Sequence, residues 1–266
     1  MISPHRSGLL QRLVPIVALA TLLVGCGGAP GPRSVTDAEA DRLAEVLFTN
    51  WDSEGAHFGL SVLANDGSTI QIEGVMDFRN VVGHAHIAGT GPHAAVPEVF
   101  WDETVVLERR PAFTDLAARY GLGNFEFVAR PPDPEFYEVD QILAVITGLY
   151  NVRRDNPLLI QQDPNTRWLR SDTLRDTEVD VFQTGERSRM WLEKGSSRLL
   201  RFESDNSLGT RPIVIDIYEL GPQAIVPPAD AVVADAVVYR EAYEASGGTL
   251  PSWLNDVVTP SPSAQG

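Results

Sequence analysis

Cysteine is nearly absent. The 266-residue chain has one, Cys26, so no disulfide can form within it and its stability has to come from a hydrophobic core. Lysine is as rare: Lys194 stands alone among 21 basic residues. Positive charge is short overall, with 36 acids and a formal net charge of −15. That balance excludes nucleic acid and anionic lipid headgroups as electrostatically recruited partners. No second long apolar run follows residue 26. Catalytic signatures are missing too. The chain has no Gly-x-Ser-x-Gly, no P-loop, no Gly-x-Gly-x-x-Gly, no His-Glu-x-x-His and no Cys-x-x-Cys. No catalytic residue, metal ligand or cofactor is assigned, and the chain reads as non-enzymatic.

The one cysteine has a context. Arg6 and Arg12 precede an apolar stretch from Leu13 to Val24, a signal-peptide length too short for a comfortable membrane span. It ends in Leu23-Val24-Gly25-Cys26, which resembles a bacterial lipobox. The resemblance implies cleavage before Cys26, lipid on its sulfur, and a protein held on the extracytoplasmic face of the cell membrane by that anchor. Each buried methylene adds roughly 0.8 kcal/mol to membrane affinity, so two or more acyl chains hold stably. Residues 1–25 contain two arginines and no acids, so the mature chain sets 19 basic residues against 36 acids, a formal charge of −17. Residues 26–35 read as a lipidated tether, Gly- and Pro-rich at Gly27 to Arg33.

The body, 36–250, has the length of a single domain. Thr36 and Glu39 match a capping box, and Ala40, Leu43, Ala44, Leu47 and Phe48 follow at helical spacing, predicting a helix over 37–49. From His57 the period becomes two. Phe58, Leu60, Val62 and Ala64 alternate, Asn65-Asp66-Gly67-Ser68 supplies a turn, and Ile70, Ile72, Gly74, Met76 and Phe78 resume. Further strands are expected at 82–89, 95–101 and 104–109, forming an antiparallel meander. Phe113 to Tyr120 reads as a short helix ending at Gly121. Asp133-Pro134 then offers a cap and a first-turn proline for a second helix, carrying the apolar stripe Phe136, Val139, Ile142, Leu143, Ile146 and Leu149. Strands return at 167–170, 177–184, 187–193, 198–205 and 212–219. A last helix is expected over 235–245, closed by Gly247-Gly248, and 251–266 reads as a disordered tail.

Three constellations invite chemistry. His84 and His86, two apart on a strand, point to one face as zinc ligands would, with His93 or Asp77 as third candidates. No acid has a compelling ligand spacing, so both read as histidines of the solvated face, with Ala85 and Ile87 inward. Asp102-Glu103 reads as a hairpin turn. Asp172, Asp176, Glu178 and Asp180 read as a solvated acidic stretch, since they lack the glycine and closing glutamate of a calcium loop. Of Trp51, Trp101, Trp168, Trp191 and Trp253, most are expected in the core or at its rim.

Taken by order and spacing over 36–220, the chain resembles the LolA-like envelope lipoproteins, in particular the LppX/LprG group. The hairpins from His57 to Ala88, the strand-turn unit Val99 to Arg109 (VFWDETVVLER), the helical segment Asp133 to Tyr150 and the strand set with Trp191-Leu192-Glu193-Lys194, Leu200-Arg201 and Val214-Ile215-Asp216 carry the likeness. Segment 110–131 finds no counterpart, and the tail after Gly221 is unusually long for the group. The resemblance implies an α+β fold, a curved antiparallel sheet forming an open half-barrel with helices packed in its concave face. It also implies a cavity for a lipid or other apolar molecule between sheet and helix. Expected liners are Leu60, Val62, Ile72 and Met76 from the sheet and Phe136, Val139, Ile142, Leu143 and Ile146 from the helix. The alternative is a filled core whose outer surface binds a protein partner or regulates one. Both readings demand the same apolar residues.

Overall fold

The structure is a computed structural model, described here for residues 31–63, 67–90, 96–135, 137–205 and 212–248. Residues 1–30, with the signal segment and Cys26, lie outside the described residues, as do Phe136, His93, the 64–66 turn and the 251–266 tail. Among the described residues, no helix is long and apolar enough to cross a membrane.

In chain order the elements are β1 (Arg33–Ser34), α1 (Asp37–Asp52), β2 (Gly55–Leu63), β3 (Thr69–Asp77), β4 (Val82–Gly89), β5 (Glu98–Trp101), β6 (Val106–Arg109), α2 (Pro111–Arg119), β7 (Phe127–Arg130), α3 (Glu138–Thr147), α4 (Pro157–Gln162), β8 (Arg167–Leu174), β9 (Thr177–Thr184), β10 (Ser188–Glu193), β11 (Leu199–Ser204), β12 (Ile213–Leu220), β13 (Val233–Ala234) and α5 (Ala236–Ala245). The strands form one sheet in the order β1-β8-β9-β10-β11-β12-β2-β3-β4-β5-β6-β7-β13, curved and unclosed. This is the open α+β half-barrel that the patterning and the resemblance imply. Two meanders, β2 to β7 and β8 to β12, meet at a seam where Ile215 faces Leu60 and Ile217 faces Phe58. Each outer edge ends in a two-residue strand, too short to template another chain.

Period-two alternation puts one apolar row inside each strand. Phe58, Ile70, Ile72, Met76, Ala85, Val99, Trp101, Leu192, Leu199, Ile213 and Ile215 join Leu43 and Val46 of α1 and Ile142, Leu143 and Ile146 of α3 in one continuous core. Each large aliphatic or aromatic side chain buried there contributes roughly 1.5–3 kcal/mol. The capping box at α1 forms as its residues predict: Thr36 Oγ1 accepts from Glu39 N at 3.3 Å and Glu39 Oε2 accepts from Thr36 N at 2.8 Å. Arg42 then clips α1 to the sheet, donating to Asp180 at 2.8 Å and to the carbonyls of Ser196 and Glu193. Asp180 therefore departs from the solvated stretch expected of it. It is buried and also accepts from Trp168 Nε1 at 3.2 Å. Asp172 and Glu178 remain outside, paired with Arg170 and Lys194.

Other departures are local. Arg33 and Ser34, expected in the tether, pair with Trp168 and Arg167, and Val35 is buried. The helix expected from Asp133-Pro134 starts at Glu138. Asp133 instead opens a turn: its carbonyl accepts from Tyr137 N and its own N–H is taken by the Asp140 carboxylate at 2.7 Å. Helix α4, unforeseen, is capped by Asn156 with Pro157 in its first turn. Segment 110–131 and the tail after Gly221 fold against each other. Strand β13 runs parallel beside β7, and α2 and α5 share a small core of Phe113, Ala117, Val128, Ala234, Tyr239 and Ala242.

Candidate functional site

The centre of the sheet–helix interface is filled. Leu60, Ile72, Met76, Ile142 and Ile146 are closed within the core, and Val62 and Val139 pack at its margin. Open space appears at one end, where α3 and the segment after it stand away from the β5–β6 hairpin. A cleft of about 640 Å³ lies there, walled by Trp101 and Val106 from the sheet, Leu143, Ala144 and Thr147 from α3, and Tyr150 and Val152 beyond it. Of the described residues expected to line a cavity, Leu143 alone is in this wall.

Trp101 is the fixed wall. Its indole lies over Gly83, its register partner on β4, where an added Cβ would collide with the ring. Its edge meets Phe58 at 6.3 Å between centroids. Its Nε1 donates to Thr147 Oγ1 at 3.0 Å, and that hydroxyl donates to Leu143 O at 2.9 Å. One indole thus ties the end of β5 to the last turn of α3. The opposite wall is tied to α1. Asn50 Nδ2 donates to Leu149 O at 2.7 Å, and the N–H groups of Asn151 and Asp155 reach Leu47 O and Ala44 O. Tyr150 stands 6.1 Å from Phe78.

The start of α3 is held by a buried ionic cluster. Arg130 lies inward on β7 beside Glu108, inward on β6 through the pairing of Val128 with Glu108 and Arg130 with Val106. Its Nε donates to Glu108 Oε1 at 2.8 Å, and its two terminal nitrogens grip the Asp140 carboxylate at 2.5 and 2.6 Å. Arg110 holds the other oxygen of Glu108 at 2.6 Å. Burial alone would raise Glu108, but the two guanidinium groups outweigh it and hold the carboxyl below its ordinary value. Burial also pushes the Tyr137 hydroxyl, whose ring sits over Arg130, up to about 12. Asp140 reaches the cleft wall with its carboxylate already engaged. At the hairpin tip, Asp102 Oδ1 accepts from the N–H groups of Thr104 and Val105 at 2.6 and 2.8 Å, the turn expected of Asp102-Glu103. Those bonds outweigh partial burial and lower its pKa.

The sequence offered a weak signal for this cluster: Glu108 and Arg130 occupy strand positions whose alternation calls for apolar residues. The tryptophans divide as follows. Trp101 and Trp168 lie in the main core, and Trp191 lies in a cluster on the outer face with Val179, Val181 and Leu200. Trp51 is half-buried beneath Arg79, and Trp253 is outside the described residues. His84 and His86 take the outer face of β4, with Ala85 and Ile87 inward and buried.

No family model matches the chain, and no curated protein does. Among solved structures 33 chains match. One is a LolA superfamily protein. That protein, from Nitrosomonas europaea, is 12% identical over 73% of this chain and 96% of its own, with a TM-score of 0.33. An uncharacterized conserved protein from Thermus thermophilus is 11% identical over 74% and 99%, at 0.39. The Pseudomonas aeruginosa MucA/MucB complex contributes a chain 14% identical over 74% of this one, at 0.31, of which 59% is spanned. The assignment of the half-barrel rests on the strand order above, and the site on its own residues.

Proposed function

We propose that this chain is a lipid-anchored, extracytoplasmic binding protein that holds one apolar molecule in the cleft beside α3. The observation that carries the reading is the cleft itself. Its volume of about 640 Å³ falls inside the roughly 300–1,000 Å³ of small-molecule sites, which are likewise mostly apolar with a few polar groups at the edge. Trp101, Val106, Leu143, Ala144 and Val152 supply the apolar wall. Binding would be partition, with roughly 0.8 kcal/mol gained per methylene that leaves water.

The edge narrows the ligand class. Asp102, Glu103 and Asp140 border the cleft, and the chain is strongly acidic, so a neutral molecule or single neutral acyl group suits it better than an anionic one. A binding role also suits the acids' engagement: Asp102 is used by its turn and Asp140 by Arg130. The anchor would be lipid on Cys26, and the membrane its first partner.

Ala144 is exposed within the cleft, so Ala144→Trp fills the space without entering the core. Native mass spectrometry of the full chain, with organic extraction of what co-purifies, should show an apolar molecule in the parent chain and much less in the variant. Equal occupancy in both, or a chain that stays bare after incubation with neutral lipid vesicles, would reject the cleft as the site. Cys26→Ser should move the protein from the membrane to the soluble fraction; a variant still in the membrane would reject the anchor. A second reading, a protein-interaction module, draws on the filled centre of the core and on Leu158 and Leu159, 62% and 65% exposed on α4. It expects a bare chain in the same experiment.

A further inference from the structure

On the outer face of the sheet, away from the cleft, the β4–β5 pairing assembles a set of side chains that no sequence spacing announces. His84 and His86 leave β4 on the same side, their rings 5.1 Å apart and edge to face. Antiparallel register puts Glu98 of β5 directly opposite His86, and Phe100 opposite His84. The carboxylate reaches diagonally, Glu98 Oε1 lying 3.0 Å from His84 Nε2. One ligand atom from each of His84, His86 and Glu98 falls within 4.8 Å of the others. Glu98 thus stands beside both histidines, where a third donor would be needed.

We propose that His84, His86 and Glu98 bind a divalent transition-metal ion of the zinc class. Two imidazole nitrogens and one carboxylate oxygen form a donor set that zinc accepts at about 2.0–2.2 Å. Closing three atoms from within 4.8 Å onto one centre at those lengths takes a shift of the order of 1 Å, within reach of side-chain rotation. The parts that must stay still are held. The His84 ring is stacked on Phe100 at 4.2 Å and 15°. The second oxygen of Glu98 accepts from Arg109 Nη1 at 3.2 Å, an outer contact of the kind that orients a ligating carboxylate. The part that must move, His86, is exposed.

The electrostatics can accommodate the added charge. Arg109 is the cation on Glu98, and it is shared with Glu126 at 3.5 Å. On the other side of His86, its register partner on β3 is Glu73, 71% exposed and 3.5 Å from His57. His86 is thus flanked by a carboxylate on each neighbouring strand, at cross-strand distance. Three protein ligands leave at least one coordination position open to water or to a partner's donor. Nitrogen donors favour zinc, nickel and copper over magnesium and calcium.

The test is titration of the untagged full chain, stripped with a chelator and kept in detergent, with Zn²⁺ against a chromophoric competitor. The expected result is one saturating equivalent. Affinity should fall at least tenfold in His86→Ala and in Glu98→Gln, the latter retaining the shape and a hydrogen bond to His84. Zn²⁺ should raise the melting temperature of the parent chain and not that of either variant. His86 is exposed, so His86→Ala without metal should melt with the metal-free parent, which separates loss of binding from loss of fold. Co²⁺ should give a visible ligand-field band in the parent chain alone. Absence of saturable uptake, or uptake unchanged by both substitutions, would overturn the proposal.

Discussion

Replacing Arg130 with methionine removes the cation from a cluster in which the side chains of Arg130, Glu108 and Asp140 are only 3%, 6% and 0% exposed. Glu108 keeps Arg110, whereas Asp140 keeps only the N–H of Asp133. A buried carboxylate stripped of its partner costs about 3–5 kcal/mol, and the upper half of that range applies because two carboxylates lose bonds together. For a domain of this size about 2–4 °C accompanies each kcal/mol, so the melting temperature should fall by roughly 8–20 °C. The pH dependence carries a sign. In the parent chain Glu108 is depressed, so its contribution is full above the unfolded carboxyl value near 4.3 and is lost as pH falls through the folded one. In Arg130→Met that pairing is gone, so the loss relative to the parent chain should be largest at neutral pH and should not grow as pH falls. Urea unfolding at pH 7.5 and pH 4.5 measures both. A loss below about 1 kcal/mol at pH 7.5, or a loss that grows at pH 4.5, would refute the ionic account of how α3 is held. Replacing Arg130 and Asp140 together with methionine and leucine should recover part of the loss.

Gly83→Ala should push the Trp101 indole off β4, lengthening its bond to Thr147; tryptophan fluorescence should shift and melting fall by about 1–3 kcal/mol equivalent, as for overpacking. Thr36→Ala removes the α1 cap and should cost about 0.5–2 kcal/mol in urea unfolding. Glu39 is lowered to about 2, chiefly by its hydrogen bond from Arg33, which Thr36→Ala leaves in place, so its stabilisation should persist down to about pH 4.5 and fade from there toward pH 2 in parent and variant alike. Tyr239→Ala should cost about 3–5 kcal/mol, and hydrogen exchange should show the opening confined to α2, β13 and α5, whose core is separate from the main one; uniform loss of protection across β2 and β12 would contradict that separation.

What could be read in the residues follows from the range of the forces involved. The α1 cap, the strand alternation and the α5 start at Asp235, whose carboxylate accepts from Val238 N, are settled within four residues, and they appear where local pattern puts them. The same local signal decides one case and loses in another. Asp133-Pro134 and Asn156-Pro157 both offer a cap followed by proline; only the second opens a helix, and α4, six residues long, is too short to show a helical period. At Asp133 the backbone N–H donates to the Asp140 carboxylate instead. Glu98 joins His84 across a strand pair, and Glu108 meets Arg130 and Asp140 at separations of 22 and 10 residues; such contacts depend on register, which composition does not encode. The cleft was legible only as apolar residues common to a filled and an open core. Leu143 and Ile142 look alike in the sequence, and only Leu143 borders the cleft.

The seam between β12 and β2 has a consequence for how the chain is made. Gly55–Leu63 is complete long before Ile213–Leu220 exists, and at roughly 5–20 residues per second of synthesis the wait is about 8–30 s. Until β12 is available, β2, nine residues long in the finished fold, would lack the partner of one edge. Any other copy's β12 fits that edge as well as the chain's own. Slow closure of so distant a pairing makes the seam the place where two chains would exchange halves, and crowding of nascent copies, more than any surface contact of the finished fold, would govern how often they do.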